Sequence, residues 1–361
     1  MERTSVRDLK AELLSELAEG SRGTPLVKAW SVAPAEVLAL GVAPGPDGRD
    51  RLAVRLDRDG PASQEVVARL VERAAGEVDV RVTGPVRVLP ASGPLPGSPG
   101  SSAPGLANAH LPGLAPAGPG SPPSDTLSVD TGLRRRTRPL VPGLSVAHPA
   151  VTAGTLGALV LVGGRPGVLS NSHVLADSGR AALGDAMLQP APYDGGDVGR
   201  DRIGELVAHG ALSTDRPNAV DVAAGVLDDP GLAGENVVPG LTGPMRLRGV
   251  TDDPPADDRV GKIGRTTGWT TGRVTAVELD GVQVAFDSGV LVFDGLVEVE
   301  GEGALPFSRG GDSGSTVYTL GEGLALGLLF AGGETGGSNG QGLTFACPFS
   351  AALAAVGATL L

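Results

Sequence analysis

The sequence predicts a mainly β chain: two packed β-barrels of the six-stranded type, preceded by a small α+β unit. Three observations carry this expectation. From Pro142 onward, short apolar strands follow one another closely, and two barrels would account for their number in about 220 residues. Gly 57 and Pro 30 are high counts that suit short strands joined by tight turns. Ahead of that region, the patterning runs helix, strand, strand, helix, strand and stops at residue 88.

Within residues 1–88, Val6, Leu9, Leu13, Leu14 and Leu17 form a helical stripe over residues 4–18. A strand is expected at 36–43, a turn at Pro46-Asp47-Gly48, and an alternating, half-buried strand at Arg51–Asp57. Val66, Val67, Leu70, Val71 and Ala74 mark a second helix, and Val78–Val88 reads as one strand. Asp57-Arg58-Asp59-Gly60 begins like a calcium loop but lacks the later ligand positions, so a turn is expected and no metal site. This unit carries no catalytic constellation; a regulatory or recruiting partner is the role left for it.

Residues 89–140 are assigned as a linker with a basic patch. Its first part, 89–124, holds ten of the prolines and seven glycines, a composition that cannot bury enough surface to offset its ordering entropy. His110 lies there without a neighbour to work with. Arg134-Arg135-Arg136-Thr137-Arg138 follows, either a solvated basic patch or a cleavage site for a trypsin-like activity. The third part, 141–361, has strands at 155–162, 167–170, 203–207, 220–226, 273–277, 282–286, 290–293, 296–299, 315–318 and 324–330, with a terminal helix at Phe349–Leu360.

The net charge of −12 excludes binding to nucleic acid, which relies on cationic side chains neutralising phosphates. One cysteine, Cys347, rules out an intrachain disulfide and reads as a small buried side chain. Charged residues follow Met1 closely, with no apolar stretch of a secretory signal, and no run of about 18 apolar residues occurs; these features predict a cytoplasmic protein with no membrane partner.

The chemistry gathers around Gly310-Gly311-Asp312-Ser313-Gly314-Ser315. A serine hydroxyl needs a base to take its proton and donors aimed at the oxyanion that its attack creates. The glycines let the chain turn so that the N–H groups of Gly311 and Ser313 point into one space. Among the four histidines, His173 lies at a strand end in Leu-Ser-Asn-Ser-His-Val-Leu-Ala, whereas His148 and His209 have the context of ordinary surface residues. A carboxylate is needed to fix the imidazole tautomer. Asp221, inside the apolar strand Asn218–Ala223, must find a donor to be buried at all, unlike Asp177, Asp185 and Asp215 in turn-like sequence.

The order His173, Asp221, Ser313 is that of the chymotrypsin type and not of subtilisins or α/β-hydrolases. Residues 142–361, about three-fifths of the chain, resemble a chymotrypsin-fold, trypsin-like serine peptidase, with the histidine motif closest to intracellular bacterial and plant members. The segment from Val260 to Gly272 (Val-Gly-Lys-Ile-Gly-Arg-Thr-Thr-Gly-Trp-Thr-Thr-Gly) is similar to the one that opens the second barrel in bacterial relatives. The resemblance implies a serine endopeptidase acting on polypeptides through an acyl-enzyme, without a cofactor. Ser313 would attack, His173 would move the proton, Asp221 would orient it, and the Gly311 and Ser313 N–H groups would form the oxyanion hole. It also implies a partner for Asp312. Phe307 stands six residues before Ser313, where trypsins carry the acid that selects Lys or Arg. The competing expectations are an idle peptidase fold serving as a binding module, and a chaperone-protease of the HtrA kind, which usually shows Gly-Asn-Ser-Gly and a following peptide-binding domain.

Overall fold

The structure is a computed structural model that describes residues 1–19, 38–45, 48–89, 132–255 and 257–361. The N-terminal part contains α1 (Arg3–Glu19), β1 (Leu38–Ala43), β2 (Arg51–Leu56), α2 (Pro61–Arg73), β3 (Val78–Val82) and β4 (Val86–Val88). The expected single strand 78–88 is thus two. Thr83-Gly84-Pro85 interrupts it, because proline has no N–H to give to a ladder. Val66 and Leu70 of α2 and Val6 and Leu13 of α1 pack with Leu40, Val42, Leu52 and Val54 of β1 and β2.

Residues 132–140 are ordered against the rest: Leu140 is fully buried, and Arg136 pairs with Asp201 at 3.2 Å. The assigned linker therefore gives way to packed chain by residue 132. His110 and the proline-rich stretch 90–131 lie outside the described residues.

The first barrel region contains β5 (Ala158–Val162), β6 (Arg165–Ser170), the one-turn helix α3 (Ser172–Leu175), β7 (Ala186–Leu188), β8 (Arg202–His209) and β9 (Ala223–Leu227). The second contains β10 (Arg259–Gly264), β11 (Gly268–Asp280), β12 (Val282–Phe286), β13 (Gly289–Phe293), β14 (Leu296–Gly301), β15 (Thr316–Thr319), β16 (Leu324–Gly336) and β17 (Gly342–Pro348). The chain ends with α4 (Phe349–Ala355) and β18 (Ala358–Leu360). The helix expected to reach Leu360 stops early: Gly357 takes a positive φ of 61°, and the last residues pair with β5 instead.

The first sheet has six strands in the order β18-β5-β6-β9-β8-β7. In the second region, β10 pairs β11, β11 pairs β14, β14 pairs β17, β17 pairs β16, β16 pairs β15, and β15 returns to β10. That circuit is a closed six-stranded barrel, which leaves none of its own edges open. Two additions extend the same sheet. β1 pairs with the far end of β11, Leu40 opposite Asp280, and carries β2 and β3 with it. β4 lies between β16 and β12. Arg55 of β2 sends a two-pronged ion pair to Glu298 of β14 at 2.7 and 2.8 Å, with Glu298 wholly buried.

Candidate active site

His173 sits on α3, immediately after β6 delivers Ser170-Asn171 to the barrel end. Its Nδ1 lies 2.5 Å from Asp221 Oδ2, and its backbone N–H donates to Asp221 Oδ1 at 3.2 Å. Both residues are buried, Asp221 completely. Asn171 Nδ2 donates to the Asp221 carbonyl at 2.7 Å, and the Asp221 N–H donates to Cys347 Sγ at 3.3 Å. The carboxylate is therefore held by imidazole and amide donors, and its main chain by an amide and a sulfur from the opposite barrel. Such compensation is what lets a charge sit between buried Val220 and Val222, just before β9, which begins at Ala223 and not at Val220 as the sequence led one to expect. Phe286 of β12 meets the His173 ring edge to face at 6.3 Å. His173 Nε2 is buried and has no hydrogen-bond partner among the described residues.

The turn 310–315 lies across the junction of the two regions. Gly311 has φ +93°, and a Cβ there would stand 2.5 Å from Thr266 Oγ1, so only glycine fits. Gly314 is pressed just as closely: a Cβ would fall 2.1 Å from Ser170 Oγ. The Ser313 carbonyl accepts from Thr155 N at 2.7 Å, and the Gly311 carbonyl from Thr155 Oγ1 at 2.9 Å. These contacts fix the turn against Thr155, whose carbonyl accepts the hydroxyl of Ser170 at the end of the strand that leads to His173, at 2.7 Å. Ser313 Oγ donates at 3.1 Å to the Leu89 carbonyl and lies 3.2 Å from that of Phe330. The Gly311 N–H also reaches the Leu89 carbonyl, at 2.7 Å.

Asp312 points away from the cleft into the second barrel region. It accepts from Thr266 N, Thr267 N, Thr267 Oγ1 and Arg309 N, and it faces Lys262 Nζ at 3.3 Å. Both charged side chains have no exposed surface. Burial holds the Lys262 ammonium below the ordinary lysine range, with Asp312 pulling it back up. The partner missing from the sequence reading is this lysine, in the Val260–Gly272 segment.

The four residues proposed from sequence thus fall into two pairs. His173 and Asp221 are joined directly; Gly311 and Ser313 converge on one carbonyl oxygen. His148 pairs instead with Asp185 at 3.2 Å, a contact that, after the Ala182 N–H, helps hold the Asp185 carboxyl below its usual range. Phe307 is buried in the barrel core, and its neighbours Pro306 and Ser308 line the cavity beside Leu89. Sequence reasoning missed Asn171, Cys347, Thr155, Lys262 and Leu89. Asn171 had a signal, as a polar side chain beside the histidine in a buried run; the others are brought in by tertiary packing.

No protein-family model matches the sequence, and no curated protein matches it. Among solved structures, the chain is similar to Protease A of Thermobifida fusca, at 18% identity and TM-score 0.43 over 61% of this chain and 97% of that one. A glutamic acid-specific serine protease, described as using a histidine triad in substrate binding, gives 22% identity and TM-score 0.44 over 62% and 100%. An α-lytic protease homologue, N4, gives 23% and 0.42 over 61% and 97%. The architecture is mainly β, with a closed six-stranded barrel, a second six-stranded sheet and extra strands. No described helix is long and apolar enough to cross a membrane.

Proposed function

We propose that the chain is a serine endopeptidase that cleaves polypeptides through an acyl-enzyme and needs no cofactor. One observation carries this reading. A buried imidazole is bonded through Nδ1 to a buried carboxylate with Nε2 left bare, and at the turn 310–315 an amide N–H and a serine hydroxyl meet on one carbonyl oxygen. The two halves are linked by β12, whose Phe286 touches His173 and whose backbone pairs with β4, the strand just before Leu89.

In the reaction, His173 Nε2 takes the Ser313 Oγ proton as the oxygen attacks the substrate carbonyl carbon. The carbonyl oxygen becomes an oxyanion held by the Gly311 and Ser313 N–H groups. Asp221 keeps the Nδ1–H tautomer and stabilises the imidazolium. The imidazolium gives its proton to the departing amine, leaving the acyl group on Ser313. Water then repeats the sequence: His173 takes its proton, the ester breaks, and Ser313 recovers the proton.

The second reading is an idle fold used for binding. It is favoured by the Ser313 hydroxyl being bonded to main-chain carbonyls rather than to His173. A fluorophosphonate separates the two, since it labels only an activated serine. Labelling that disappears in Ser313→Ala and falls sharply in His173→Ala supports the peptidase. A natively folded chain that is not labelled even after the Leu89 contact on Ser313 is removed by Leu89→Asp overturns it.

A further inference from the structure

We infer that the chain fills its own acyl-side substrate cleft with Val86-Arg87-Val88-Leu89, and that the site therefore takes peptides with leucine or a similar aliphatic residue bearing the scissile carbonyl. This deepens the peptidase reading and rests on it for the word scissile. β4 runs antiparallel to β16, with Val88 opposite Ala331 and Arg87 opposite Gly332. Beyond the ladder, the Leu89 N–H donates to the Phe330 carbonyl at 3.3 Å. The Leu89 carbonyl then receives the Gly311 N–H at 2.7 Å and the Ser313 hydroxyl at 3.1 Å. A strand added to a sheet edge, ending with its carbonyl on an oxyanion donor and beside the nucleophile, is bound as a substrate is bound. On its other edge the same strand pairs with β12, Val86 opposite Val284.

The arrangement holds the segment without spending the serine on it. The Ser313 hydroxyl lies within hydrogen-bond reach of the Leu89 and Phe330 carbonyl oxygens, and His173 Nε2 is not among its partners. The occupant also reports what the cleft selects. The Leu89 side chain stands over Gly332, where an added Cβ would come 3.2 Å from Leu89 Cδ1. The cavity that it shares with Pro306, Ser308 and Leu343 measures about 330 Å³. Its hydroxyls are spent on each other, Ser308 Oγ to Thr344 Oγ1 at 2.7 Å. The charged side chains on its lining, Glu334, Arg87 and Arg309, are all exposed, so no buried charge of either sign stands inside it to receive a charged side chain. An apolar side chain loses nothing by entering such a space, whereas a charged one would be desolvated without a partner.

The test uses the full chain and three probes. Leu89→Asp puts a charge where the leucine packs, and Leu89→Ala is the milder variant that keeps the backbone contacts. Opening the cleft raises the competent fraction, so Leu89→Asp should bind a fluorescein-labelled Val-Arg-Val-Leu peptide roughly tenfold or more tightly than the parent chain, with Leu89→Ala between them. Fluorophosphonate labelling of Ser313 should quicken in the same order. With Val-Arg-Val-Xaa-aminomethylcoumarin substrates, Leu89→Asp should turn over Xaa = Leu about tenfold or more faster than Glu, Lys or Phe. Equal peptide binding by all three folded proteins, or binding by none, overturns the self-occupancy. A preference for Glu or Lys overturns the specificity. Peptide binding that follows the predicted order without any labelling would sustain the occupied cleft and sink the peptidase reading, so the two can fail separately.

Discussion

The buried Lys262–Asp312 pair makes a prediction in which the two halves behave differently. Lys262→Met leaves Asp312 with Thr266 N, Thr267 N, Thr267 Oγ1 and Arg309 N still donating to it. Asp312→Asn keeps Lys262 in place with Thr267 Oγ1 and the Gly268 carbonyl, but it turns an amide NH₂ toward donors and strands an ammonium. Breaking a buried pair costs about 3–5 kcal/mol. With four donors left to the carboxylate, Lys262→Met belongs near the lower figure and Asp312→Asn near the upper, at neutral pH. The second cost depends on pH. Burial already lowers the Lys262 pKa in the parent chain, and removing Asp312 removes the contributions that raise it. A lysine with a folded pKa below its unfolded value of about 10.4 sheds its proton on folding between the two values, so stability rises with pH by about 1.4 kcal/mol per unit across that window. The gain is complete above the unfolded value and is lost as pH falls to the folded one. The window therefore opens at a lower pH in Asp312→Asn than in the parent chain, and it closes altogether in Lys262→Met/Asp312→Asn, which has no group to titrate. Urea unfolding by circular dichroism from neutral to alkaline pH measures it. The reasoning is wrong if Lys262→Met costs more than Asp312→Asn, or if Asp312→Asn has the same pH slope as the double variant.

Two further outcomes are expected. Asp221→Asn should leave the fold intact yet cut peptide turnover by about 10⁴ through the wrong imidazole tautomer, while Asp185→Asn, at a carboxylate that bonds the Ala182 N–H and His148, should leave kcat unchanged; equal effects in a steady-state assay on the Leu89→Asp background would misplace the carboxylate. Cys347 is fully buried, and burial together with the Asp221 charge raises its thiol pKa, so it stays protonated well past the pH where an ordinary thiol ionises; iodoacetamide should modify it only after denaturation, and rapid native alkylation would contradict its placement.

What the sequence made legible was what its local pattern could carry. The stripe Val66–Leu70 and the short strands after Pro142 each announce an element through apolar burial; Arg51–Leu56 is a strand as expected, but not half-buried, because its polar face is covered too, with Arg55 paired to buried Glu298. His173 was readable because a polar residue at a strand end must have a use. Asp221 was readable because a carboxylate among Val220 and Val222 must be compensated. The partner of Asp312 was not readable: Lys262 is 50 residues away and sits in a strand whose charges look solvent-facing until the barrel closes over them. Leu89 was hidden for a different reason. It stands at the edge of a proline-rich stretch, and its neighbours in β4 have no signature apart from the strand before them. Its position is decided by a ladder with Ala331 and Gly332, far along the chain.

The same ladder explains how a four-residue segment can hold a cleft that must also admit substrate. Alone, a short strand pays its full ordering entropy for a few main-chain bonds. Here β3 has holds of its own, apart from β4: Arg81 bonds Glu300 at 2.8 Å, Thr83 N–H bonds the Leu56 carbonyl at 2.8 Å, and Arg55 anchors β2 through buried Glu298. Val86 then follows four residues after the end of β3, so most of the entropy of bringing it to the cleft has been met by the N-terminal unit. Attachment of this kind turns a weak contact into one of high effective concentration. The contacts that must be undone for an outside peptide to enter are only those of β4 and Leu89. The Arg55–Glu298 anchor and the β1–β11 pairing can remain, so access to Ser313 requires a local opening of one strand and not separation of the N-terminal unit from the barrel.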